Sequence, residues 1–193
     1  MDFNSYIEKK FIEARQQNLL ELREQITLAW VQTKIDNYIE NMGGLFTKEQ
    51  IEHEIMNNDI VASFFAKDPK KQNIPEKEAE KLLGVAKLPA SGQKCIRFDD
   101  NGNQVFKATG ATKSADFLYN GYYATQKYTT STGGAQDNQK NDVIDFLKRG
   151  SIKHKVMAIV DGEYWDEHRA ELYDLFKDNP NVAITSLTEI TGG

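Results

Sequence analysis

From Asn4 to about Met42 apolar side chains return at helical spacing: Ile7, Phe11 and Ala14, then Leu19, Leu22, Ile26, Ala29 and Trp30, then Ile35, Tyr38 and Ile39. Steps of three and four residues put such positions on one face of a helix. Asn18 is the expected break between two helices, and Gly43-Gly44 ends the second as a glycine cap does. Thr47 and Gln50 have the spacing of a capping box. They open a helix expected to run through Ile51 and Ile55 toward Ile60. A stripe of this kind is core packing by default, and the alternative for Leu19 to Ile39 is a surface that joins two copies.

Beyond Phe64-Phe65, the polar run Lys67-Asp68-Pro69-Lys70-Lys71 marks the expected boundary between a helical region, 1–66, and a second region, 67–193. Pro75 suits the first turn of a short helix that stops at Gly84. Within it Lys77 and Glu80, and Glu78 and Lys81, have ion-pair spacing. Cys95–Phe98 and Gln104–Ala108 read as a hairpin around Asp99-Asp100-Asn101-Gly102. That turn does not match the calcium-loop spacing, so it is read as a turn. Asp137 or Asn138 is placed to cap a helix with Val143, Ile144, Phe146 and Leu147 inward, ending at Gly150. Lys155–Val160 is an almost wholly apolar strand, the type buried on both faces. A helix over Tyr164–Lys177 and a strand over Val182–Leu187 follow. This alternation predicts an α/β fold with a mixed central sheet flanked by helices, preceded by the helical region.

The chemistry gathers in Lys113–Gln139. Asn120-Gly121 is a strong signal for a two-residue hairpin turn, which needs positive φ at both positions. With those two residues at the tip, Tyr119 pairs with Tyr122, Leu118 with Tyr123, and Asp116 lies opposite Thr125. Side chains two apart share a face. Asp116, Thr125 and Lys127 therefore collect on one side, with Phe117, Ala124 and Gln126 on the other.

This pattern resembles the PD-(D/E)xK nuclease superfamily, which includes many type II restriction endonucleases. Ser114-Ala115-Asp116 stands where the family has Pro-Asp, and Thr125-Gln126-Lys127 where it has (D/E)xK, with Thr125 in place of the second acid. The resemblance implies an αβββαβ core and hydrolysis of double-stranded DNA with Mg2+, for which Mn2+ can substitute. It further implies Asp116 as metal ligand and Lys127 as the group that orients or activates water. It suggests that the preceding helix presents Gln72, Glu76 or Glu80 to the site. With Thr125 in place of the acid, the second ligand is Glu76, a backbone carbonyl of the strand or a water held by Thr125. Because one active site per chain must cut two strands, it also implies a homodimer.

The polar stretch that follows suits DNA contact. Ser131, Gln136, Asn138 and Gln139 are candidates to read base edges, and Lys113 and Lys140 to hold phosphates. Gly133 and Gly134 let the backbone approach a duplex. Two other readings remain beside a sequence-specific restriction enzyme. One is a DNA-binding protein on a nuclease fold that does not cut, and the other is a repair or junction nuclease.

Composition narrows this little. The net charge of −5 argues against a general nucleic-acid coat but allows a local basic cleft. Cys95 is alone and cannot form an internal disulfide, which fits a cytoplasmic protein. No apolar run reaches the length of a membrane span. His53, His154 and His168 have no partners at metal or triad spacing.

Overall fold

The computed structural model describes residues 1–130 and 134–192. The chain forms two compact units, one of residues 7–74 and the other of residues 1–6 with 75–193.

The first unit is helical. The helix α1, Phe3–Glu24, enters it without interruption at Asn18. Asn18 is buried, and its side-chain amide donates to Lys67 O at 2.9 Å and Gln72 Oε1 at 3.0 Å. A polar residue expected to end a helix instead ties it to the segment 67–72. That tie also keeps the polar run with the helices, so the units part at 74/75 and not at 66/67. The helix α2, Ala29–Asn41, ends at Gly43 and Gly44, both with positive φ, whose amides bond back to Glu40 O and Ile39 O. Thr47 and Gln50 make the reciprocal capping box that opens α3, Lys48–Asn57. The expected continuation to Ile60 fails because the Asn58 side chain caps a separate helix, α4, Asp59–Phe65. Leu22, Val31 and Ile35 are fully buried with Ile51, Ile55, Ala62 and Phe65. The Leu19–Ile39 stripe is therefore used inside the unit, and its inner residues are not a surface for a second copy.

The second unit is mixed α/β. It opens with α5, Ile74–Leu83, which stops at Gly84, and continues with a small hairpin of β1, Arg97–Phe98, and β2, Gln104–Val105. The four-stranded sheet has the order β3–β4–β5–β6, with β3 Phe117–Tyr119, β4 Tyr122–Tyr128, β5 Val156–Asp161 and β6 Val182–Thr185. The pair β3/β4 is antiparallel and the other two pairs are parallel. Two helices, α6, Gly134–Gly150, and α7, Glu163–Phe176, make the crossovers that parallel strands require. Val143, Phe146 and Leu147 of α6 share one core with Trp165 and Leu172 of α7 and with Ala158 and Val160 of β5. Every residue of β5 is buried, as the apolar run Val156–Val160 predicts, but Lys155 is exposed and outside the strand, which extends instead to Asp161.

A last helix, α8, Leu187–Ile190, carries no signal in the apolar pattern. Ser186 and Glu189 close a capping box on it, and the buried Asp161 carboxylate accepts from Leu187 N. Among the described residues no helix is long and apolar enough to cross a membrane.

Candidate active site

Asn120 and Gly121 have φ of 48° and 81°, and the register is Tyr119 with Tyr122, Leu118 with Tyr123 and Phe117 with Ala124, as the sequence predicts. The ladder continues one step further, with Asp116 N donating to Ala124 O at 2.8 Å. There the backbone of β3 leaves the sheet. The next donor on β4, Gln126 N, is taken by the Asp116 carboxylate, at 2.8 Å to Oδ2. The side chain thus fills a ladder position that the main chain has given up. Leu88 N donates to Asp116 O at 2.7 Å from the other side.

Thr125 is buried and its hydroxyl donates to the same Oδ2 at 3.3 Å. Asp116 Oδ1 accepts no hydrogen bond among the described residues. Lys127 is half-buried, and its ammonium forms neither a hydrogen bond nor an ion pair among them. A cross-strand Asp116–Lys127 ion pair, the ordinary reason for such a pairing of residues, is therefore not made. Burial raises the Asp116 pKa above the usual carboxylate value. Lys127 and the Gln126 amide oppose the shift, Glu76 adds to it, and Lys87 opposes it. Glu76 and Lys87 form an ion pair at 2.5 Å.

The group brought together is thus Asp116, Thr125, Lys127, Glu76 and Lys87. Lys87 is the member that sequence reasoning misses. It lies in the connection after α5, and no local pattern marks it. Its neighbour Leu88, bonded to Asp116 O, carries it to the site. Glu80, by contrast, accepts from Lys87 N, and Glu78 pairs with Lys81 at 2.6 Å. Gln72 is bonded to Asn18 in the helical unit.

Among the described residues no three His, Cys, Asp or Glu side chains come together. The donor set nevertheless suits a hard cation that keeps most of its waters, which needs one or two carboxylates. Asp116 Oδ1 has no bond to give up, and Glu76 would have to exchange Lys87 for the ion. The Thr125 hydroxyl spends its proton on Asp116 and keeps lone pairs for a bound water.

The candidate DNA contacts are less gathered. Gln136, Asn138, Gln139 and Lys140 are not on a loop, because α6 begins at Gly134 and not after an Asp137 or Asn138 cap. Asp137 falls in the first turn, where a carboxylate suits the helix dipole, and accepts from Tyr164 OH at 3.3 Å. Gln139 accepts from Thr129 Oγ1 at 2.9 Å, and Trp165 Nε1 donates to that same oxygen at 3.2 Å. Lys140 pairs with Glu171 at 2.9 Å. Asn138 and Lys113 are exposed. Ser131 and Gly133 lie outside the described residues. Asp99 is used within its turn, accepting from the amides of Asn101 and Asn103. No family model, curated protein or solved structure matches this chain.

Proposed function

We propose that the chain is a PD-(D/E)xK-type nuclease that hydrolyses phosphodiester bonds of double-stranded DNA with Mg2+, of the type II restriction class. The observation that carries this reading is the placement of Asp116 at the open end of β3. Among the described residues its Oδ1 accepts no hydrogen bond, and the Lys127 ammonium on the adjoining strand, whose charge acts on Asp116, makes no ion pair. The order α5, β1/β2 hairpin, β3, β4, α6, β5 supports the reading only as far as the β1/β2 hairpin, which lies in a separate sheet, is taken for the first strand of an αβββαβ core.

In such a reaction water attacks phosphorus and gives up a proton to solvent, and the bond to the leaving deoxyribose oxygen breaks, that oxygen taking up a proton. A bound Mg2+ would acidify that water and offset charge on the phosphate. Asp116 Oδ1 would hold the ion, with Glu76 as second donor once released from Lys87. Lys127 would orient the water and balance charge developing on the phosphate. Lys87, freed from Glu76, would add a second cation. Two copies acting on opposite strands would cut a duplex, which makes a homodimer the simplest working form.

One observation favours a second reading, a DNA-binding protein on this fold that does not cut. Thr125 replaces an acid with a group that donates to Asp116 instead of holding a metal, and Glu76 is engaged by Lys87. Incubation of plasmid with the chain in Mg2+ and in EDTA, beside a gel-shift assay, separates the two. Magnesium-dependent nicking supports the nuclease. A shift without nicking supports the binder. Neither result, at low salt and across a pool of sequences, removes DNA from the account.

A further inference from the structure

A concentration of positive charge lies in the helical unit. A cleft of about 800 Å3 there is lined by Arg15, Lys34, Lys67 and Lys71, with Asp68 the one lining carboxylate. These residues come from the middle of α1, from α2 and from the segment after α4. In a chain of net charge −5, four cations around one opening run against the average.

Two of the four have structural duties. Lys34 donates to Phe65 O at 2.7 Å, capping the end of α4, and Lys67 pairs with Glu21 at 2.6 Å. Both ammonium groups stand over the Trp30 ring, at 5.1 and 5.2 Å from its centre. The Asp68 carboxylate is occupied by Lys70 N. Arg15 and Lys71 have no side-chain hydrogen bond or ion pair among the described residues, and both are exposed. The crowding has an electrostatic signature. The Lys34 pKa is lowered, first by burial and then by repulsion from Lys67 and Lys71. Phe64, 78% exposed, stands at the rim. Cations left unneutralised around a cleft are what phosphodiester backbones bind to.

The geometry points to this cleft as a second nucleic-acid contact, in which Arg15 and Lys71 hold backbone phosphates and Lys34 sustains the positive field. The assignment rests on the nucleic-acid reading of the chain but not on Asp116 or on any metal. It gives the helical unit a part in holding substrate that its core packing does not explain.

The test is binding of a short labelled duplex to the full chain in EDTA, by fluorescence anisotropy over a salt series. The double variant Arg15→Glu/Lys71→Glu should weaken binding about tenfold or more. It should also flatten the dependence of log affinity on log salt by about one for each phosphate no longer held. Arg15→Gln/Lys71→Gln should show a smaller loss in the same direction, and Lys71→Arg should bind as the parent does. Unchanged affinity and slope in a charge-reversed protein with parental circular dichroism overturn the proposal. If the charge-reversed protein does not fold, the Gln pair decides by the same criterion.

Tripolyphosphate, followed by the part of the fluorescence that Trp30→Phe removes, distinguishes the source of the anion. Competition between tripolyphosphate and duplex supports the assignment. Tight tripolyphosphate binding that leaves duplex affinity untouched overturns it in favour of a small-anion site. Failure of the nuclease reading would appear separately, as absence of Mg2+-dependent cleavage, with the salt slope still reporting on the cleft.

Discussion

The Thr125 hydroxyl and the Gln126 backbone amide converge on one oxygen of Asp116, at 3.3 and 2.8 Å, and its other oxygen accepts no hydrogen bond among the described residues. The residue across the hairpin from Asp116 thus stabilises its ionised form in place of competing with it for a cation. For the proposed metal site, what the pair lacks is negative charge at position 125.

Thr125→Glu should supply it. In Mg2+ or Mn2+, DNA cleavage should rise about 100-fold or more, corresponding to roughly 3 kcal/mol of barrier. Because Thr125 is buried beside Asp116, the variant should also lose roughly 3 kcal/mol of stability without metal and regain much of it with metal. Thermal melts with and without Mn2+, beside a plasmid assay, check both halves. Stability that ignores Mn2+ would count against a site between these residues.

Asp116→Asn should abolish metal-dependent binding while sparing the hairpin, since an amide oxygen can still accept from Gln126 N. Asp116→Ala should lose both, with an additional cost of about 1–3 kcal/mol for the unsatisfied amide. Asp99→Asn should leave metal binding alone. Calorimetric titration of Mn2+ in the presence of duplex, with urea melts of each protein, separates these outcomes.

Asp161 should make the protein less stable as pH rises through the mildly acidic range. Burial pushes its pKa up to about 6, against the bonds from the Leu187 and Thr188 amides and the charge of Arg169, while Asp166 adds to the shift. A raised carboxyl pKa means that the folded state holds the proton longer than the unfolded one. The contribution is therefore largest below the ordinary value near 4 and is lost as pH climbs to about 6. Its size is roughly 3 kcal/mol. Asp161→Asn keeps an acceptor for Leu187 N and should flatten this part of the stability curve, raising the melting temperature at pH 7.

Gly162→Ala should be among the most damaging small substitutions. Gly162 has φ +103°, and a Cβ there would lie 2.2 Å from Thr129 O. Gly110→Ala is the comparison, with φ +71° and open space around it. The second should cost about 1 kcal/mol from backbone conformation alone. The first should exceed it by several-fold, and equal losses in urea would show that β4 relaxes around residue 162.

Elements announced by local chemistry are legible in the sequence. Asn120-Gly121, the Gly43-Gly44 cap and the Thr47–Gln50 box each satisfy backbone groups within a few residues, so no distant partner can overrule them. Asn18 misleads because its amide finds partners some fifty residues away, and a polar residue so satisfied need not end a helix. The start of α6 reads too late from sequence because Asp137 resembles a cap but serves in the first turn, bonded to Tyr164. At the candidate site the hairpin register joins Asp116 to Thr125 and Lys127, and period-two reasoning reaches that. Lys87 arrives through a loop with no period, and the cleft cations at 15, 34, 67 and 71 are too far apart in sequence to form a motif.

The far-separated pairing of Phe3 has its own consequence, for the order of folding. Phe3 is fully buried, packs edge-on against Tyr128 and bonds through its amide to Thr188 Oγ1, 185 residues away. On a ribosome the helical unit holds nearly all its partners within one continuous stretch and can close early. The sheet unit cannot seal over Phe3 until Thr188 has left the exit tunnel. A fragment cut between the units would lack Phe3 and expose the pocket it fills, so the two compact bodies are not two separable pieces of chain.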